Sequence, residues 1–298
     1  MKIGFIGLGK MGARMAERLL EKKHSVVIWA RHTDSMRPLA HKGAIATKTI
    51  EEFSAKLGKN KRIILMVTHG KPVDDVIQSL KPFISKGDII VDGGNSFYRD
   101  SMRRASQLKK KGISFLDAGV SGGLEGARHG ASIMVGGEKS AYKKMAPLFR
   151  DLCVKNGHGY MGKSGAGHFV KMVHNGMEYS MLQSLGEGFL LLDKSKFNLD
   201  FREVAKVYRN GSVIRGWLMD LLARAFSKDP KLKRQSGIVG GGSTGTWTLQ
   251  TAKGLNLKAP MLQGAMNARK KSVKRPDFST RVVAALRYEF GGHEAPKK

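Results

Sequence analysis

The turn Gly7-Leu8-Gly9-Lys10-Met11-Gly12 follows an apolar run that begins at Lys2 and opens the helical pattern Ala13, Met15, Ala16, Leu19 and Leu20. Each glycine of such a turn answers a separate steric demand. The first permits a tight reversal, the second lets the backbone approach a pyrophosphate, and the third lets the new helix lie against the strand it left. The N–H groups of that helix start then face the phosphates. Strand, glycine turn and helix in this order predict a dinucleotide site at the very start of the chain, with Leu8, Lys10 and Met11 completing the turn.

Strand-length apolar runs continue to alternate with helical stretches up to about residue 155. Strands are expected at Lys2 to Gly7, Val26 to Ala30, Arg62 to Thr68, Ile89 to Asp92, Ile113 to Ala118 and Ser132 to Val135. Helices are expected near 10–22, 49–57, 71–84, 98–111 and 138–150. Such alternation is the pattern of βαβ units and a parallel sheet. After Gly165 only helix-period segments follow, starting with Gly167 to Lys194, and the glycine-rich stretch Gly237 to Gly245 reads as a loop. The expected fold class is therefore α/β, a Rossmann-type doubly wound domain over 1–165 followed by an all-α domain over 166–298. At 298 residues, 41% of them hydrophobic, the chain can bury a core in each.

The end of the second strand normally reports the adenosine ribose, where a carboxylate accepts from both hydroxyls of NAD. Here it reads Trp29-Ala30-Arg31-His32-Thr33, so Arg31 offers a fork of donors to a 2′-phosphate instead. This favours NADP, while Asp34 nearby keeps NAD in play.

The formal charge of +29 suits phosphorylated small molecules and polyanions alike. Because the cations are spread along the chain, with short clusters at Lys109-Lys110-Lys111 and Lys270-Lys271, they read first as a basic solvated surface without a specific nucleic-acid partner. No apolar run approaches the length of a membrane span, and no leader pattern opens the sequence, so a cytoplasmic location is expected. A single cysteine, Cys153, leaves neither a disulfide nor a metal site to be expected.

Lys171, His174, Asn175 and Glu178 stand at i, i+3, i+4 and i+7 and form one polar stripe on a helix. Phe169, Val170, Met172, Val173, Met177, Met181 and Leu182 are expected to surround it, so that the stripe faces a cavity. A solvated Lys/Glu pair is the plainer reading, but His174 and Asn175 serve no purpose there. A desolvated lysine supplies a base and a buried carboxyl an acid. Two further turns, Asp92-Gly93-Gly94-Asn95-Ser96 and Gly119-Val120-Ser121-Gly122-Gly123, end parallel strands, where ligands bind in open α/β sheets.

Together these segments, with Gly126-Ala127-Arg128 and the run Gly165 to Tyr179, resemble the β-hydroxyacid dehydrogenases, and among them the decarboxylating 6-phosphogluconate dehydrogenases in their compact form. The resemblance implies oxidation and decarboxylation of 6-phosphogluconate to ribulose 5-phosphate and CO2, a step of the pentose phosphate pathway. It implies that Lys171 is the base and Glu178 the acid, with Asn95 at the cofactor and substrate. Ser121, Gly122, Gly123, His174 and Asn175 would hold the sugar acid, and Tyr179 its phosphate. Arg269, Arg287 and His293 resemble further substrate ligands, the last two reaching a neighbour's site in a homodimer or homotetramer. Longer members carry a loop lysine where this chain has Gly242. Two other readings stand beside this one: a non-decarboxylating dehydrogenase of an unphosphorylated acid, and a polyanion-binding module, which the intact Lys171 opposes.

Overall fold

The computed structural model describes residues 1–293. It opens with β1 (Lys2–Ile6), α1 (Lys10–Glu21) and β2 (Ser25–Trp29), then a 3₁₀ turn (Thr33–Met36), α2 (Arg37–His41) and β3 (Ile45–Ala46). There follow α3 (Ile50–Leu57), β4 (Arg62–Leu65), α4 (Lys71–Leu80), β5 (Ile89–Asp92) and α5 (Tyr98–Lys109). The sheet is completed by β6 (Ser114–Ser121), α6 (Gly123–His129), β7 (Ala131–Gly137), α7 (Lys139–Leu152) and β8 (Cys153–Gly162). Six helices follow: α8 (Ala166–Lys194), α9 (Phe201–Arg209), α10 (Trp217–Lys228), α11 (Ser243–Gly254), α12 (Pro260–Ser272) and α13 (Phe278–Gly291).

All eight strands form one sheet in the order β3-β2-β1-β4-β5-β6-β7-β8. The first six are parallel, β7 runs antiparallel to β6, and β8 is parallel to β7. The order reverses between β1 and β4, the crevice where open α/β sheets take ligands. Side chains alternate across β1, so Ile3 and Phe5 pack with Met15 and Leu19 while Ile6 joins Val27, Phe53 and Ile63 on the opposite face. Burial on both faces is why these strands read as unbroken apolar runs.

The chain divides into two compact units, Met1–Met172 and Val173–Lys298. The division falls inside α8, whose first turns are clamped to β6 and β7. In the second unit Leu182, Phe189, Phe201, Phe226, Val282 and Leu286 form the core, with the Phe189 and Phe226 rings 5.0 Å apart. No described helix is long and apolar enough to cross a membrane.

Several elements depart from the sequence reading. The short α2, β3 and α6 were not expected, nor was β8, whose Lys155 and Asn156 are exposed and break any apolar alternation. The glycine-rich stretch is a loop only as far as Gly242, since Ser243 already begins α11. Met177 and Met181 are 59% and 56% exposed, so they do not help enclose the polar stripe as expected. Met172 and Leu182 are buried.

Candidate functional site

The glycine turn has the geometry its pattern demands. Gly7 adopts φ +98, and a Cβ there would stand 2.4 Å from the Met66 carbonyl oxygen. A Cβ at Gly12 would stand 2.0 Å from the Gly7 carbonyl oxygen, so helix and turn touch with no room for a methyl group. Around Gly9 there is open space instead. Gly9 is the N-cap of α1, with no side-chain cap and no acidic residue in the first turn, which leaves the positive helix end available to an anion. Leu8 and Met11 pack against the core beneath the turn, and Lys10 is exposed. These residues fit a dinucleotide pyrophosphate.

Arg31 is exposed just past β2, and Asp34 pairs with Arg37 at 3.1 Å. Asn95 is exposed after β5, on a turn braced from below. Asp92, fully buried, accepts hydrogen bonds from the Gly94 amide at 3.1 Å, the Ser96 hydroxyl at 2.7 Å and the Arg104 guanidinium at 3.4 Å. Arg104 is itself buried and also donates to Asp74 at 2.8 Å. Burial costs Asp74 some of its acidity, but its bonds to Arg104 and Arg103 prevail and hold its carboxyl below the ordinary carboxylate range.

Ser121 ends β6, Gly122 turns with φ +117, and Gly123 starts α6. Two residues before Ser121, a Cβ on Gly119 would lie 2.2 Å from the Lys171 Cβ. The lysine stem therefore rests on bare strand backbone, and Lys171 is only 8% exposed.

Within the second unit, α8 continues through His174, Asn175, Glu178 and Tyr179. The His174 ring nitrogen Nδ1 lies 3.1 Å from the Asn175 amide oxygen and 4.0 Å from the Glu178 carboxylate. The Asn175 amide donates to Thr244 Oγ1 at 3.4 Å, and that oxygen shares a 2.9 Å hydrogen bond with the Tyr179 hydroxyl. Arg269 lies over the Tyr179 ring, 3.9 Å from its centroid. It is 6% exposed, yet its Nη1 has no hydrogen-bond partner.

Arg287 joins this group from α13. A Cβ on Gly241 would stand 3.3 Å from its guanidinium, and one on Gly242 would stand 3.6 Å from the Arg269 Cδ. Burial lowers the basicity of Arg287 most, the positive Arg269 lowers it further, and Tyr179 and Glu178 oppose both. Gly242 is the N-cap of α11, which has neither a side-chain cap nor an acidic residue in its first turn. Two guanidiniums and an uncapped helix start thus converge beside Tyr179, an arrangement suited to a dianion.

Arg287 stands beside Tyr179 and Arg269 of its own chain. His293 lies past the end of α13 with its ring edge-on to Phe290 at 6.3 Å. Sequence reasoning did not single out Thr244, whose Ser-Thr-Gly context is a helix start hidden in a glycine-rich stretch. It also passed over Arg104, since nothing local marks a buried cation.

Residues 2–162 match the NAD binding domain of 6-phosphogluconate dehydrogenase, and residues 167–196 match the C-terminal domain of 6-phosphogluconate dehydrogenase. The YqeC protein of Bacillus subtilis (strain 168) is 46% identical over 298 residues, covering 100% of both chains. An NAD(+)-dependent, decarboxylating 6-phosphogluconate dehydrogenase of Haloferax volcanii is 41% identical and covers 100% of this chain and 99% of its own. The solved 6-phosphogluconate dehydrogenase of Plasmodium falciparum aligns with a TM-score of 0.84 at 31% identity, over 92% of this chain and 62% of that one. Alignment end to end with compact relatives, on a Rossmann-type sheet followed by helices, makes this chain an NAD(P)-binding oxidoreductase that belongs to the 6-phosphogluconate dehydrogenase family.

Proposed function

We propose that the protein oxidises and decarboxylates 6-phosphogluconate to ribulose 5-phosphate and CO2, reducing NADP in preference to NAD. The observation that carries this reading is Arg269, a buried guanidinium stacked on Tyr179 with an unsatisfied Nη1. A buried, unpaired charged donor costs stability unless a ligand completes it. With Arg287 and the α11 N-terminus beside it, the complement is a phosphate, which an unphosphorylated hydroxy acid lacks.

When bound at the glycine turn, NAD(P) supplies the hydride acceptor. Lys171 takes the proton from the C3 hydroxyl as that carbon gives up its hydride. The resulting ketone stands β to the carboxylate and accepts the electron pair left when CO2 departs, with Lys171 returning its proton to the carbonyl oxygen. Glu178 then protonates the carbon that lost CO2 while Lys171 takes back the proton from the enol oxygen, and the enediol becomes the ketose. His174, Asn175, Asn95 and Ser121 hold the hydroxyls and carboxylate, while Tyr179, Arg269 and Arg287 hold the phosphate.

Initial rates with 6-phosphogluconate, gluconate and 3-hydroxyisobutyrate test the proposal, with released CO2 trapped alongside cofactor reduction. One CO2 per reduced cofactor, from the phosphorylated acid alone, is expected. Faster turnover of an unphosphorylated acid, or reduction without CO2, overturns it.

The cofactor preference rests on Arg31, together with the engagement of Asp34 by Arg37. Arg31→Ala should weaken NADP by about tenfold, the loss of one charge-assisted hydrogen bond, and leave NAD within about twofold. Equal effects on the two cofactors, measured by fluorescence titration, would remove Arg31 from 2′-phosphate recognition.

A further inference from the structure

The longest helix of the chain has its N-terminus capped by a residue far away in sequence. Asp117, in the middle of β6, is fully buried. Its Oδ1 accepts the Gly165 amide hydrogen at 2.7 Å and its Oδ2 accepts that of His168 at 2.9 Å. Gly165 stands just ahead of α8 and His168 is in its first turn, where the opening N–H groups have no partners inside the helix. A carboxylate there also complements the positive end of the helix dipole.

The surrounding backbone leaves no slack. A Cβ on Gly136 would meet the Gly167 amide nitrogen at 2.6 Å and both Asp117 carboxylate oxygens at 2.8 Å. A Cβ on Gly167 would meet the Asp117 carbonyl oxygen at 2.3 Å and that of Met134 at 2.5 Å. Side chains alternate along β6, so residues 117, 119 and 121 share one face. Asp117 grips the start of α8, Gly119 supports the stem of Lys171 one turn later, and Ser121 lies two residues further along the strand.

We infer that Asp117 is a positioning residue, which sets the height of Lys171 above β6 by clasping the α8 N-terminus. It does not touch substrate; it fixes the base relative to the Ser121 end of the strand. Reaction rate is steep in such a distance, because a displacement of about 1 Å at a reacting group costs on the order of 10²-fold. The inference rests on Lys171 being the base, so its test includes readouts that do not depend on turnover.

Asp117→Asn keeps the shape but loses one acceptor and the charge, and is compared with the wild type in three measurements. Hydrogen exchange over residues 163–172 should accelerate by about tenfold or more at the Gly165 and His168 amides, with the rest of the sheet protected as before. Labelling of Lys171 by an amine-reactive reagent, followed by mass spectrometry, should change by severalfold. With the proposed substrate, kcat should fall by roughly 10- to 100-fold while KM and the cofactor Kd stay within about threefold.

Gly119→Ala displaces Lys171 by direct contact with Asp117 intact, and covers the case in which Asp117→Asn does not fold. It should reproduce the kcat loss and the labelling change without faster exchange at Gly165 and His168. Unchanged Lys171 labelling once the clasp has opened, or a joint decline of kcat, KM and cofactor binding, overturns the inference. A wild-type enzyme inert toward 6-phosphogluconate refutes the substrate reading, and exchange with labelling then decides the role of Asp117.

Discussion

Lys171→Met should reduce cofactor turnover by roughly 10²- to 10⁴-fold, the usual contribution of a positioned general base, while cofactor affinity stays near that of the wild type. The contrast follows from geometry. The glycine turn that fits the pyrophosphate is formed by Gly7, Gly9 and Gly12, and Lys171 lies elsewhere, on the Gly119 backbone. Methionine is unbranched and close in length to the lysine stem, so it can occupy the same buried path without a cavity. Stopped-flow measurement of cofactor reduction, with cofactor titration by fluorescence, reads both quantities. Near-normal turnover would remove Lys171 as the base.

Arg269→Met should raise KM for the phosphorylated acid by roughly 10²- to 10⁴-fold, corresponding to two charge-assisted hydrogen bonds of about 1.5–3 kcal/mol each. Its effect on stability should have the opposite sign or be absent. Arg269 has no hydrogen-bond partner at Nη1 and stands close enough to Arg287 to depress its basicity. Replacing that cation with an apolar chain removes the repulsion and about 1–3 kcal/mol of unpaired donor cost, against about 0.5–2 kcal/mol of lost attraction to the Tyr179 ring. Inorganic phosphate should raise the Tm of the wild type and leave that of the variant unmoved. Equal stabilisation of both proteins by phosphate would place the anion elsewhere.

What could be read from the sequence depended on how local each signal was. The glycine turn, its strand and its helix are contiguous, and their purpose follows from the single stretch Lys2 to Glu21. The polar stripe of α8 was equally plain, because helical spacing alone brings Lys171, His174, Asn175 and Glu178 onto one side. Asp117 gave no such signal. It clasps amides 48 and 51 residues away, and within the run Phe115 to Ala118 it looks like a lone polar break in a strand. The meeting of Tyr179 with Arg269 and Arg287 joins three helices, so only the family resemblance suggested it. β8 was missed because strand partners, rather than its own polar and glycine-rich residues, hold it in the sheet. The glycine-rich stretch misled for a related reason: glycine disfavours helix interiors yet suits the residue just ahead of one.

Gly242 limits how the anion pocket can be altered as well as shaping it. Its φ of +124 is a conformation that side-chain-bearing residues rarely adopt, and a Cβ there would press on the Met266 methyl group at 3.1 Å. A lysine placed at 242 would therefore be strained on the present backbone. The loop would have to relax and the Met266 methyl group give way by a few tenths of an ångström. Any side chain at 242 thus depends on a prior change in the loop, which leaves the pocket's cations to come from Arg269 and Arg287 beside the start of α11.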